Sequence, residues 1–448
     1  MRPQALEICV KSPDPGTATG PVNGMTPDQR ARSRRRRRTG LAAVAVVLGG
    51  AVALTACGGS GSDKGAAATD KGKTQADVDA AAADVSSDAK IAITPKTGTS
   101  NASISSGTKI AVTDGKLTAV AMTEVVSGKA VKGAIATDGT SWKPDASLDR
   151  GKKYKVAATA QDAKGRVVTE TSTFGTVSAS NSFIGYFTPE DGSTVGVGMP
   201  VSIKFDKAVT NKKAVESAIK VASSSGQTVV GHWFDSTRLD FRPQEYWKAG
   251  SNVSVKLKLD GVEGSNGVYG VQNKDVNFTV GRSQVSTVDA TTKTMTVVRD
   301  GKTIKTIPIS AGSADHPTYN GQMVISEKYK QTRMNGDSVG FKGEYDIADV
   351  PHAMRLSSSG TFIHGNYWGN KSIFGSANTS HGCIGLSDAK GANDPDTLGA
   401  WFFDQSLIGD VVVMKNSPDK TIKPDNGLNG WNMTWSAWTA GSALGATS

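Results

Sequence analysis

Cysteine is nearly absent from this chain. Three residues in 448, Cys9, Cys57 and Cys383, leave no material for a disulfide framework. Aromatic residues are sparse at 6%, whereas Gly is abundant at 51 residues, and this mixture favours strands and turns over helical bundles. Basic residues are not gathered into a block beside base-stacking aromatics, which argues against nucleic-acid binding. Residues 1–57 hold nine Lys/Arg against three Asp/Glu, so they carry six of the net +10 charges. The remainder is dispersed. No apolar run reaches the roughly 20 residues a spanning helix needs; the first long one, Leu41 to Leu54, falls short.

That run follows Arg30, Arg32 and Arg34–Arg38, giving a charged region and then an apolar one, the pattern of an export signal. It ends in Leu54-Thr55-Ala56-Cys57 followed by Gly58-Gly59, which resembles the bacterial lipobox, where the cysteine is acylated and becomes the first mature residue. Residues 1–24 read as sequence upstream of the true start, with Met25 the expected initiator. The arginine run suits either general secretory or twin-arginine export. Cys9 precedes the signal and Cys57 takes lipid, so Cys383 is the one thiol of the exported body. Outside the cytoplasm a thiol is exposed to oxidation, and catalysis is the leading reason to keep one.

Six segments follow from composition. Residues 1–57 are upstream sequence and signal; residues 58–88, poor in large apolar side chains, are a flexible tether. Residues 89–178 and 179–282 are two strand-rich modules. Val131-Lys132-Gly133, Trp142-Lys143-Pro144 and Tyr154-Lys155-Val156 recur as Val229-Val230-Gly231, Phe241-Arg242-Pro243 and Val253-Ser254-Val255, each 98 or 99 residues on. A period near 100 residues with short, evenly spaced strands predicts two immunoglobulin-like sandwiches, expected to be spacers. Their one histidine, His232, reads as a packing residue. Residues 283–416 are a β-rich domain holding His316, His352, His364, His381 and Cys383, with one helix expected after a cap and first-turn proline at Asp394-Pro395. Its apolar stripe is Leu398, Trp401, Phe402 and Leu407. Residues 417–448 close the chain, and the spacing of Trp431, Trp435 and Trp438 predicts one helical face packed on a neighbouring domain.

The chemistry concentrates in Ser380-His381-Gly382-Cys383, with His364-Gly365-Asn366-Tyr367-Trp368 upstream. A cysteine acyltransferase needs a thiolate, a base within reach and donors for an oxyanion. His364 ends an apolar strand and can supply the base; Gly382 allows close backbone approach, so N–H groups at Gly382 and Cys383 are the expected oxyanion hole. A histidine, a fifteen-residue gap and then Ser-His-Gly-Cys resembles the L,D-transpeptidase catalytic motif of the YkuD-type domain. Together with the lipobox, the two modules and the Trp-rich end, the resemblance extends to the large mycobacterial and actinobacterial lipoprotein members.

That resemblance implies a mainly β chain and the following roles. Cys383 is the nucleophile, His364 the general base and His381 the second motif histidine. The carbonyl of Gly365 orients His364, Tyr345 helps hold the oxyanion from a lid-like loop, and Trp368 lines the pocket. Ser380, Gly382 and Asn378 complete the substrate-binding set. The chain departs from the pattern at Gly385, where many relatives carry Arg or Asn, which puts substrate preference in question. The implied reaction cross-links peptidoglycan stems 3→3: a donor tetrapeptide loses D-Ala and its acyl group passes to an acceptor stem. No cofactor or metal is required, carbapenem β-lactams are the expected inhibitors, and the protein is expected on the outer face of the membrane, lipid-anchored, acting in the wall. Alternatives are an L,D-carboxypeptidase and a non-catalytic wall-binding lipoprotein. A zinc site built from His352, His364, His381 and Cys383 is disfavoured by ligand spacing. His316, in a Ser/Asp/Pro loop, reads as solvated, with a place near the cleft as the alternative, and His352 as structural, with substrate contact as the alternative.

Overall fold

The computed structural model describes residues 74–77, 86–105, 107–339 and 343–445. The export signal, Cys9, Cys57 and most of the tether lie outside the described residues.

The first module contains β1 (Lys90–Thr94), β2 (Lys109–Thr113), β3 (Lys116–Glu124), β4 (Gly133–Ile135), β5 (Ser141–Pro144), β6 (Lys153–Gln161) and β7 (Val167–Gly175). One sheet runs β1-β2-β5-β4 and the other β3-β6-β7. Alternation along β6 sends Tyr154, Val156, Ala158 and Ala160 inward, where they meet Ile110, Trp142 and Phe174 from the neighbouring strands. The second module contains β8 (Ser182–Phe183), β9 (Gly185–Thr188), β10 (Thr194–Val195), β11 (Val201–Phe205), β12 (Ile219–Ser223), β13 (Val229–Trp233), β14 (Arg238–Pro243), β15 (Asn252–Lys258), β16 (Glu263–Ser265), β17 (Val268–Gly270) and β18 (Asn273–Val280). Its two main sheets run β9-β11-β14-β13 and β10-β18-β15-β12.

The repeat in the sequence is therefore a repeat in topology. Strand order β1-β2-β5-β4 becomes β9-β11-β14-β13, and the recurring glycine explains itself. A Cβ on Gly133 would sit 2.2 Å from the Trp142 ring, and one on Gly231 3.0 Å from the Phe241 ring. In each copy an aromatic lies against bare backbone of the next strand.

The third domain is one nine-stranded sheet built from β19 (Gln284–Asp289), β20 (Thr294–Arg299), β21 (Lys302–Ser310), β22 (Gly321–Val324), β23 (Glu327–Asn335), β24 (Asp346–Arg355), β25 (Phe362–Asn366), β26 (Ile384–Ser387) and β27 (Val411–Lys415). Their order is β22-β27-β19-β20-β21-β26-β25-β24-β23, with β19–β27 and β25–β26 parallel. The helix Leu398–Gln405 packs on β24, β25 and β26. Its cap is Thr397, whose Oγ1 accepts from Ala400 N–H at 3.2 Å, not the expected Asp394-Pro395, and Leu407 falls beyond its end.

The tryptophans also depart from expectation. The chain breaks between a 3-10 turn at Gly430–Asn432 and a short helix at Trp435–Ala440, because Thr434 caps a new helix. The three rings still converge, on Arg242 of the second sandwich, whose guanidinium lies 4.6, 5.5 and 4.3 Å from the Trp431, Trp435 and Trp438 rings. Trp438 is fully buried and donates to the Val230 carbonyl at 2.9 Å; Trp431 donates to the Gly198 carbonyl at 2.7 Å. His232 is buried, stacks on Trp438 and donates from Nδ1 to its carbonyl at 2.9 Å. The terminal segment is a fastener between the second sandwich and the catalytic sheet.

Candidate active site

Parallel pairing of β25 with β26 places His364 opposite Gly385. Side chains two apart on a strand share a face, so Cys383, just ahead of β26, and His364 point to the same side of the sheet. Both line one cavity of about 270 Å³ with Ser310, Tyr345, Asn366, Trp368, Ser380 and His381. Below it Cys383 packs on Met334, Val350, Ala353 and Phe362, and its Sγ lies 3.7 Å from the Gly360 carbonyl.

The turn before the cysteine is held by Ser380. Its Oγ donates to the Cys383 carbonyl at 2.6 Å and accepts from Gly382 N–H at 3.2 Å. Gly382 has φ +112°, a conformation that L side chains rarely adopt. The Gly382 N–H meets the Ser380 hydroxyl inside this turn.

His364 is buried, and its Nδ1–H donates to the Gly365 carbonyl at 2.8 Å. In the neutral ring this leaves Nε2 as the acceptor. Burial lowers the imidazole pKa below 6.5, opposed by the Gly365 hydrogen bond and the Asp388 carboxylate. Trp368 stacks on the ring at 5.7 Å and 14°, and is itself 42% exposed. Position 365 has no room for a side chain: a Cβ there would lie 1.9 Å from Asp388 Oδ2. Asp388 in turn accepts from His352 Nδ1 at 2.8 Å and from Thr397 Oγ1 at 2.8 Å. His352 is thus held by Asp388 beneath the strand and is not among the residues lining the cavity that His364, His381 and Cys383 share.

Tyr345 lines the cavity with a buried hydroxyl that has no hydrogen-bond partner among the described residues. Burial, with the nearby Glu344 carboxylate, raises its pKa, so it stays a protonated donor. His381 Nε2 lies 3.0 Å from Glu344 Oε2, and its ring stacks on His316 at 5.1 Å and 21°. His316 is half-buried at the cleft edge, the alternative to a fully solvated place in its loop. Asn378 does not line the cavity. Its Oδ1 accepts from Ala311 N–H at 3.0 Å and its Nδ2 donates to the Ala290 carbonyl at 2.9 Å, so it braces the approach to the motif.

Residues 283–414 match the L,D-transpeptidase catalytic domain family, and residues 99–263 match the bacterial Ig domain family across both sandwiches. L,D-transpeptidase 2 of Mycobacterium tuberculosis is 31% identical over 357 residues, 79% of this chain and 85% of that protein. The chain belongs to the L,D-transpeptidase family. L,D-transpeptidase 5 of the same species is also 31% identical, over 75% of this chain and 73% of its own. A solved L,D-transpeptidase in complex with imipenem is 29% identical, covering 51% of this chain and 97% of its own, with a TM-score of 0.43.

As an L,D-transpeptidase, this chain carries one residue that motif reading passed over. Asn366 lies two positions past His364 on the same face, and its Oδ1 accepts from Gly369 N–H at 2.7 Å. A Cβ at the side-chain-free Gly385 would lie 3.7 Å from Asn366 Nδ2. Asn366 and Gly385 both line the cavity, so the strand beside Gly385 presents a side-chain amide there. Its signal in the sequence was slight: an Asn two residues after the strand histidine.

Proposed function

We propose that this L,D-transpeptidase forms 3→3 peptidoglycan cross-links through a Cys383 thioester. The observation that carries the reading is His364 beside Cys383 on one face of two parallel strands, with its Nδ1–H spent on a carbonyl and Nε2 left to take a proton. A thiol ordinarily ionises near pH ~8.5, so a neutral imidazole is needed to deprotonate it. Cys383 Sγ, in its reduced state, gives its proton to His364 Nε2 and attacks the carbonyl of the third stem residue. The Tyr345 hydroxyl donates to the oxyanion. The C–N bond breaks, D-Ala leaves with the proton from the imidazolium, and a thioester remains. The side-chain amine of a second stem then attacks, loses its proton to His364, and expels the thiol.

The same thiolate opens the β-lactam ring of carbapenems, leaving an acyl adduct. The export signal and Cys57 support lipid anchoring on the outer face of the membrane, with the catalytic domain working in the wall. Membrane fractionation of a Cys57→Ser strain tests this: the protein should shift to the soluble fraction. For the reaction, the reduced protein is incubated with disaccharide-tetrapeptide and the products weighed by mass spectrometry. The cross-linked dimer should appear and vanish in Cys383→Ala. Persistence of the dimer in that variant would sink the mechanism, and tripeptide without dimer would make the enzyme a carboxypeptidase.

A further inference from the structure

At the edge of the cleft three chemically matched side chains come from three distant segments. His316 lies in the loop after β21, Glu344 directly precedes Tyr345, and His381 sits two residues before Cys383. One ligand atom from each lies within 4.8 Å of the others. Glu344 Oε2 is 3.0 Å from His381 Nε2 and 3.9 Å from His316 Nε2.

We propose that His316, Glu344 and His381 form a binding site for a divalent transition cation, with Zn²⁺ and Cu²⁺ as the matching class. Two imidazoles and one carboxylate suit these borderline ions, whereas Mg²⁺ and Ca²⁺ favour oxygen donors. Bonds of about 2.0–2.2 Å to Zn²⁺ require the ligand atoms to lie roughly 3–4 Å apart, so only a small inward closure is needed. The three residues are half-buried or exposed, with side-chain accessibilities of 31%, 44% and 35%, so a cation can enter from solvent and keep water in the remaining positions. Cys383 is outside this ligand set. The bound cation has no role in acyl transfer. It joins the segment bearing Tyr345 to the loop bearing Cys383 and holds both still, which makes it an inhibitory ligand of the donor cleft.

Equilibrium dialysis of the reduced protein against Zn²⁺ tests the site without turnover, so its outcome is separate from that of the transpeptidation assay. One equivalent should bind to the wild type and to Cys383→Ala alike. His316→Ala and Glu344→Gln, checked for native circular dichroism, should each weaken binding at least about tenfold, the scale reached when even outer supports of a metal site are removed. Co²⁺ substituted for Zn²⁺ should give visible d–d bands without a thiolate charge-transfer band. In cross-linking assays Zn²⁺ should inhibit the wild type and leave His316→Ala active. Failure to bind Zn²⁺, unchanged affinity in both ligand variants, loss of binding in Cys383→Ala, or a thiolate band would each overturn the proposal.

Discussion

The two sandwiches share a strand order yet stand in different relations to the catalytic sheet. The first touches its neighbour through polar contacts at the surface: Ser103 and Ser105 donate to Asp260, and Arg150 donates to Ser182. The second is built into the catalytic domain. Gly196 and Gly198 N–H groups donate to the Ile408 and Gly409 carbonyls at 2.8 and 2.9 Å, and a Cβ on Gly196 would lie 2.3 Å from Asp410 N. Arg282 grips Asp410 with two bonds of 2.8 Å, and the terminal tryptophans close the seam. A repeated fold can thus supply a spacer in one copy and a wall of the enzyme in the next. What differs is the set of surface residues around bare backbone.

Removing the fastener is the strongest way to break this comparison. Trp438→Ala should cost about 3–5 kcal/mol, the range for deleting a buried aromatic, and also strands His232 and Arg242 without the ring they pack on. Calorimetry should show the transition of the second sandwich and catalytic domain moving down by many degrees while the first sandwich melts unchanged. A uniform shift of both would show that the copies are not energetically distinct.

Arg282→Ala comes next, at roughly 2–4 kcal/mol, less than the usual figure for a broken buried pair because the arginine is partly exposed. It has a pH signature. Burial already raises the Asp410 pKa, and Arg282 acts against that. Without the arginine the pKa rises further, so the charged form is penalised more in the folded state than in the unfolded chain. The destabilisation should be largest at neutral pH and relax as pH falls and Asp410 takes up a proton. Melting temperatures of variant and wild type, compared from pH 7 down to 4, check the sign.

His232 and His364 carry the comparison into the cleft. Burial lowers the pKa of both, and both donate Nδ1–H to a carbonyl. Of the two, only His364 faces the cavity that Cys383 lines, so a lowered pKa by itself does not mark a catalytic histidine. The acylation rate by a carbapenem should fall on acidification with a midpoint below 6.5, as His364 becomes protonated and can no longer take the thiol proton. A midpoint above 6.5 would contradict the role. Asn366→Ala should have a smaller effect, raising KM for the tetrapeptide donor several-fold, with recovery in the Asn366→Ala, Gly385→Asn double variant.

Much of this was legible in the sequence where a signal is local. The two modules were expected to be built of short strands between turns, and strands such as β11, where Val201, Ile203 and Phe205 alternate with polar residues, bear this out. Family membership rested on contiguous Ser380-His381-Gly382-Cys383 and a spaced His364. The signals that failed depend on distant partners. Asn378 is claimed by the Ala290 carbonyl 88 residues away. The tryptophan spacing described one face but not the break that Thr434 introduces. His316, Glu344 and His381 are brought together by three loops, and no periodicity links them.

Deleting the first sandwich, residues 89–178, should have the smallest effect in solution. None of its described residues lines the cleft, and among the described residues its link to the second module runs through exposed or half-buried polar pairs, each worth about a kcal/mol or less. Cross-linking of soluble disaccharide-tetrapeptide by the shortened protein should stay within about twofold of the full chain. In cells the result should differ, since a module that only sets distance matters where the substrate is a fixed layer above a membrane. Muropeptide analysis should then show fewer 3→3 links from the shortened lipoprotein, and replacing the module by an unrelated sandwich of similar length should restore them. Restoration would separate reach from recognition; failure would mean that the first copy binds wall and is not a spacer, and the two sandwiches would then differ in ligand as well as in attachment.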